Sequence, residues 1–205
     1  MSKAQETAAD GARAPQRKRG ELRVAALLEA AAAVFAERGY AAATMTEIAA
    51  RAQAPIGSLY QFFPSKEALG AALMQRYLAL AVAALEAIEA RAGALPAEAL
   101  ADALLRVFAD LREERSAAVS MLDAVSGLRQ TGASTLRTTM LAHLARILKA
   151  RRPRLGPARL NAMALTVLLQ LKAAAAMESY TADAKETTAA LRELRTMLAL
   201  YLDAP

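Results

Sequence analysis

Cysteine is missing from all 205 residues, which excludes a disulfide framework and any thiolate metal site. Tryptophan is missing too, histidine occurs once, and aromatic residues make up only 4%. There is no glycine-rich loop of the kind that cradles phosphate and no cluster of histidine and carboxylates at ligand spacing. Little is therefore left for catalysis, and neither a metal nor a cofactor is expected. Residues 1–20 lack the apolar run of a signal peptide. The greasiest later stretch, residues 162–177, is interrupted by Thr166, Gln170 and Lys172, so no membrane span is expected and cytoplasm is the default location. Strand-like alternation and internal repeats are also missing.

What the chain has in quantity is alanine, which loses no side-chain entropy on entering a helix and supplies much of the 56% hydrophobic content. The expected fold class is all-α. A chain of this length can join a small domain to a larger one, each with its own core. Lys and Arg outnumber Asp and Glu by 26 to 20, a formal charge of +6 that favours polyanions such as DNA or an anionic membrane surface. The excess is modest, so its placement matters more than its sum.

Residues 1–20 are polar and carry Arg13, Arg17, Lys18 and Arg19, which predicts a flexible basic arm that either follows or enters nucleic acid or merely solubilises the chain. From Leu22 the apolar positions Val24, Leu27, Leu28, Ala31, Val34 and Phe35 recur at helical spacing until Gly39 offers a left-handed stop. Thr44-Met45-Thr46-Glu47 is a capping box that opens a short second helix. The pattern breaks at Ala52-Gln53-Ala54-Pro55, and a third helix is predicted from about Ile56 to Phe62. Pro64 and Ser65 stop it and cap a long fourth helix with an apolar face of Leu69, Leu73, Tyr77, Leu80, Ala84 and Ile88. Further on, Gly93 and Pro96 mark a turn, Gly127 and Gly132 bracket a predicted loop, and Pro153, Gly156 and Pro157 mark another break. The last two helices are predicted over residues 158–180 and 185–202.

Two short helices across a tight turn, backed by a third and preceded by a basic arm, form the helix-turn-helix arrangement that sets a recognition helix in the major groove. Phe35, Tyr40, Tyr60, Phe62 and Phe63 crowd into this small region, where a mini-domain needs large side chains for its core. The expected organisation is an arm over 1–20, a helix-turn-helix DNA-binding domain over 21–66 and a larger helical domain over 67–205.

The segment FAERGYAAATMTEIAARAQAPIGSLYQFFPSKEAL resembles the signature region of the tetracycline-repressor (TetR) family. The shared features are Phe35 to Tyr40, the Thr before Ile48-Ala49, Gly57-Ser58-Leu59-Tyr60 and Phe63 to Leu69. The resemblance implies a DNA-binding transcriptional regulator: an Ω-shaped homodimer, released from a palindromic operator by a small apolar or amphipathic effector. It implies that Thr44, Thr46, Tyr60 and Lys66 touch phosphates and that Ile56, Gly57, Ser58 and Gln61 face base edges. Hydroxyls and ammonium groups position a protein on phosphate, while Gln61 suits adenine and Ile56 a thymine methyl. Other roles stand beside these: Tyr60 as a core residue, Thr44 as a cap alone. Three positions depart from the family: Gln53 replaces the turn glycine, Ala54 a larger apolar residue, and Pro55 a capping Ser or Thr. A glutamine in a left-handed turn costs about 1–2 kcal/mol.

The resemblance also implies a four-helix dimer interface from the last two helices, with Leu191, Leu194, Leu198 and Tyr201 lining one face of the final one. Intramolecular core is the other use of that stripe. Candidates for the effector cavity are Phe108, Met121 and His143, although Met at helical spacing also serves as ordinary core and a lone His is commonly satisfied within the fold. The basic cluster Lys149, Arg151, Arg152, Arg154 and Arg159 is expected to solvate a helix end rather than hold DNA. A membrane-surface or scaffold protein would use the basic amphipathic helices but leaves the capping box, turn and aromatic cluster unexplained.

Overall fold

The computed structural model describes residues 10–124, 126–177, 180 and 183–203, and the regular elements among them are all α-helices. In chain order they are α1 (Asp10–Ala42), α2 (Met45–Arg51), α3 (Ile56–Phe62), α4 (Lys66–Glu89), α5 (Ala97–Asp110), α6 (Arg112–Ala124), α7 (Ser126–Arg151), α8 (Pro157–Ala176) and α9 (Ala184–Asp203).

Within α1 the chain breaks at Gly39, with φ 77° and ψ 154°, so the predicted stop is real. The other end differs from expectation. Residues 10–20, assigned to the arm, are helical, while residues 1–9 lie outside the described residues. Arg17, Lys18, Arg19 and Arg23 are good helix formers, and extending a helix already nucleated by a buried stripe avoids the cost of starting one. Along α4 the buried stripe is Leu69, Leu73, Tyr77, Ala81, Leu85 and Ile88; Leu80, expected inside, is 38% exposed. The i, i+4 row continues unbroken from Leu69 to Leu85, and Leu80 falls to one side of it. By length and composition α4 is apolar enough to cross a membrane, whereas residues 162–177 are not the greasiest stretch.

Gly127 and Gly132 do not bracket a loop, since both lie inside α7. Each is isolated among helix formers, and an interior glycine costs only about 1 kcal/mol. The burial of α7 comes later, through Met140, Leu144, Ile147 and Leu148.

The chain divides into two compact units, residues 1–74 with 116–124, and residues 75–115 with 125–205. The division falls within α4, which begins at Lys66, the end of the first expected domain. In the first unit Leu27, Phe35, Ile48, Leu59, Leu69 and Leu73 are almost wholly buried. Phe35 and Tyr40 meet edge to face with ring centres 5.1 Å apart. Residues from α6 complete this unit: Ser120 Oγ accepts from the Tyr40 N–H at 2.7 Å. A Cβ added at Gly70 would lie 2.5 Å from Met121 Sδ and 3.1 Å from the Tyr40 ring, so a larger residue there would push the Met121 side chain aside.

In the second unit α5 packs on α8 and α9, α7 on α8, and α8 on α9. Three residues of its basic cluster hold backbone carbonyls. Lys149 donates to Pro153 O at 2.6 Å, Arg151 to Leu95 O at 2.6 Å and to Asp203, and Arg152 to Leu202 O at 3.2 Å.

Candidate nucleic-acid interface

The interface begins with the two ends of α2. At its start the capping box is complete: Thr44 Oγ1 accepts from the Glu47 N–H at 3.2 Å, and Glu47 Oε2 accepts from the Thr44 N–H at 3.0 Å and the hydroxyl at 2.9 Å. These bonds, chiefly that from the Thr44 hydroxyl, hold the Glu47 carboxyl below its ordinary value, with Arg38 adding to the effect from 2.6 Å. Thr44 and Thr46 both face solvent. Thr44 therefore caps, and its hydroxyl proton is already given to Glu47.

At the other end the Gln53 N–H donates to Ala50 O at 3.0 Å and the Ala54 N–H to Ala49 O at 2.9 Å. This pair of bonds is a Schellman closure with Gln53 at its left-handed position, φ 50°. The turn is closed in the left-handed region by a glutamine, which is strained there where a glycine would not be. Pro55 (φ −57°) stands at the cap of α3 and contributes no side-chain bond; its fixed φ steers the chain into the helix.

On α3, Leu59 is fully buried and anchors the helix to the small core. At 100° per residue, Ile56, Tyr60, Gly57 and Gln61 follow one another round the opposite side, and all four are exposed. Ser58 is half-buried at the edge of this arc. Ile56 is 41% and Tyr60 49% exposed, so Tyr60 is not a core residue, and Phe62, also assigned to the core, is 38% exposed. The aromatic cluster thus splits: Phe35, Tyr40 and Phe63 are inside, Tyr60 and Phe62 outside. Periodicity in a seven-residue helix is too short a signal to have separated them.

Gly57 has an ordinary φ, and a Cβ built there would meet nothing within 4 Å. Neither backbone conformation nor internal packing calls for glycine at this point. A bare patch of backbone flanked by Ile56, Tyr60 and Gln61 suits the close approach of another surface.

Lys66 is placed differently from expectation. Its Nζ donates to the carbonyls of Tyr40, Ala41 and Ala43 at 2.9, 3.1 and 3.1 Å and lies 4.8 Å from the centre of the Tyr40 ring. An ammonium has three protons, and these contacts use them all. Lys66 ties the start of α4 to the end of α1 and to Ala43 just beyond it. Burial, then the charge of Glu67, raises the Tyr40 phenol above its ordinary value.

The remaining predicted residues are scattered. Phe108 lines a cavity of about 600 Å³ in the second unit, but Met121 packs on Gly70 in the first. His143 is buried and accepts from Arg146 Nη2 at 2.6 Å, while Arg146 Nε donates to Glu89 at 3.0 Å, so that ring is satisfied internally. Neither Met121 nor His143 reaches the cavity that Phe108 lines. Of the predicted dimer stripe, Leu198 is wholly buried in its own protomer and Leu191 lines the cavity. Leu194 and Tyr201 are half-buried. The exposed apolar side chains of the last two helices are instead Leu165 and Leu169 on α8 and Met197 and Leu200 on α9. Among the described residues no group of three or more His, Asp or Glu is placed to hold a metal ion.

Residues 27–73 match the family model described as bacterial regulatory proteins, tetR family. The HTH-type transcriptional repressor DhaR of Mycobacterium sp. (strain GP1) is 43% identical over 51 residues, 25% of this chain and 26% of that protein. The chain thus aligns with about a quarter of that curated relative's length. Among solved structures, a bacterial regulatory protein in the tetR family from Rhodococcus RHA1 superposes with a TM-score of 0.65 at 21% identity, covering 89% of this chain and 98% of that one. The regulator FadR from Bacillus subtilis, solved with stearoyl-CoA, superposes with a TM-score of 0.62 at 17% identity over 85% and 96% of the two chains. The matched segment contains α2, α3 and the capping box, and the structural likeness extends the shared fold to most of the chain.

Proposed function

We propose that this chain is a member of the tetR family of bacterial regulatory proteins and acts as a cytoplasmic homodimeric repressor that binds a palindromic operator and is released by a small amphipathic effector. The observation that carries the reading is the exposed arc of α3, where Ile56, Tyr60 and Gln61 surround a glycine that nothing inside the protein requires. On DNA, Gln61 reads an adenine edge, Ile56 packs on a thymine methyl, and Gly57 lets the helix backbone sit deep in the groove. Ser58 reaches base edges from the side of the arc. Thr46 and Tyr60 reach phosphates and fix the register, while Thr44, whose donors are given to Glu47, holds the start of α2 in place for them. Lys66 acts by holding the start of α4 against the end of α1, which positions α2 and α3.

Residues 21–66 form the DNA-binding domain, and residues 67–205 carry the effector site and the dimer contacts. Leu165, Leu169, Met197 and Leu200 supply the apolar centre of the homodimer interface, with Leu194 and Tyr201 at its margin. Effector binding favours a dimer whose two recognition helices no longer match successive half-sites, and operator affinity falls by linkage. That FadR was solved with stearoyl-CoA supports an amphipathic effector.

The test is binding of the purified protein to its own upstream DNA at several salt concentrations, with footprinting. Protection of an inverted repeat, weakening steeply with salt, is the expected result. Absence of even non-specific DNA binding would overturn the proposal.

A further inference from the structure

The second unit holds a cavity of about 600 Å³ between α5, the first turn of α6, the end of α8 and α9, a size that takes drug-like ligands. Its walls divide by chemistry. Leu105, Phe108, Ala109 and Leu191 form an apolar surface, and the short side chains of Ala174 and Ala175 leave the space open. Around them stand Arg106, Arg112, Arg115, Arg192 and Arg195 against one carboxylate, Asp102.

That carboxylate is already engaged. Arg195 holds it through Nε and, at 2.9 Å, through Nη2, and this contact keeps the Asp102 carboxyl below its ordinary value. Arg106, whose Nε donates to Asp102 O at 3.4 Å, and Arg112, Arg115 and Arg192 also stand on the lining. Arg115 reaches in from α6, anchored by donation from Nη2 to Ala175 O at 3.0 Å, and its Nε is buried with no acceptor. A buried guanidinium N–H without an acceptor is costly. Positive charge in a concave, partly apolar wall concentrates the field on an entering ligand.

We propose that this cavity binds an acidic amphipath, a molecule with an apolar body and a carboxylate head. The head pairs with Arg115 and Arg192, whose planar forks match a carboxylate with two parallel bonds. The body lies on Leu105, Phe108 and Leu191. A neutral apolar molecule of the same size gains the second contact and forgoes the first. The assignment rests on the effector reading above for its regulatory meaning, while the binding site itself rests on the lining.

The experiment is calorimetric titration of the full chain, without DNA, with decanoate and 4-phenylbutyrate and with the alcohols of matching length. The acids are expected to bind at least about tenfold more tightly than the alcohols. Arg192→Gln, at an exposed position, weakens the acids about tenfold and leaves the alcohols unchanged. Ala109→Trp, also exposed, projects a ring into the apolar part of the cavity and weakens both, with melting curves confirming that each variant folds. Equal affinity for acid and alcohol, failure of both acids to bind, or acid binding untouched by both variants would each overturn the site. Operator binding by the same preparation separates the two claims. Intact operator binding without acid binding removes this site and leaves the regulator standing. Acid binding without any DNA binding supports the site and removes the regulator.

Discussion

At the scale of single residues, two small positions near the turn have opposite relations to the fold. Gly57 is not needed by the protein itself, so Gly57→Ala is expected to leave the fold intact and stabilise it by about 0.5–1 kcal/mol through helix propensity. The same methyl group stands where the proposed DNA contact is closest, and operator affinity is expected to fall by about tenfold or more, read by titration beside a thermal melt. Gln53 is the reverse case, a residue strained at φ 50° for the sake of the turn. Gln53→Gly relieves a left-handed cost of about 1–2 kcal/mol and adds back an entropy cost of about 0.5–1 kcal/mol. A net gain in stability of roughly 0.5–1 kcal/mol is expected in denaturant melts. Gln53 and Gly39 were legible in the sequence because a left-handed turn is a local matter of backbone sterics. Tyr60 and Phe62 were not, because whether an aromatic ring points inward depends on which side of a two-turn helix the rest of the protein occupies.

Among the elements, α2 depends most visibly on its start. Thr44→Ala removes the cap and is expected to cost about 1 kcal/mol. Its hydrogen bonds favour the charged form of Glu47, so the folded-state value of that carboxyl lies below the unfolded one. For a carboxyl shifted this way, the stabilisation is fully present above the ordinary value of 4.5 and is lost as pH falls through the lower folded-state value. The difference in melting temperature between the natural chain and Thr44→Ala is accordingly expected to be constant above that ordinary value and to shrink as pH drops below it. A difference that stayed constant to strongly acid pH would show that Glu47 takes no part. The elements themselves were readable where a cap, a proline or a glycine marks an end, as at Thr44, Pro55 and Ser65. They are not readable where a glycine lies inside a long helix, as Gly127 and Gly132 do in α7, or where a polar stretch extends one, as α1 does from Asp10. In both cases cooperative extension of a long helix outweighs a few unfavourable residues.

For the molecule as a whole, the decisive surface is the pair α8 and α9, and the face they present cannot be chosen from periodicity alone. Leucine, methionine and alanine occur on several sides of α9, so a stripe through Leu191, Leu194, Leu198 and Tyr201 reads as well as its neighbour. Burial within the protomer decides between them: Leu198 and Leu202 are wholly enclosed, whereas Met197 is 57% and Leu200 69% exposed. On α8, Leu165 and Leu169, one turn apart, are 44% and 57% exposed. Two such pairs, turned away from their own core on helices that pack together, are the apolar side chains that the proposed second copy covers. The double variant Leu169→Glu with Leu200→Glu is expected to be monomeric in sedimentation while keeping its helical circular dichroism. It reaches one half-site at a time, so operator affinity is expected to fall by about a hundredfold or more while weak, salt-sensitive binding to any DNA survives. Leu198→Glu, only a short step along the same helix, places an unpaired charge in the protomer core and is expected to unfold the second unit instead. If the double variant remained dimeric, the copies would have to meet on another face, and the exposed leucines of α8 and α9 would need a different partner.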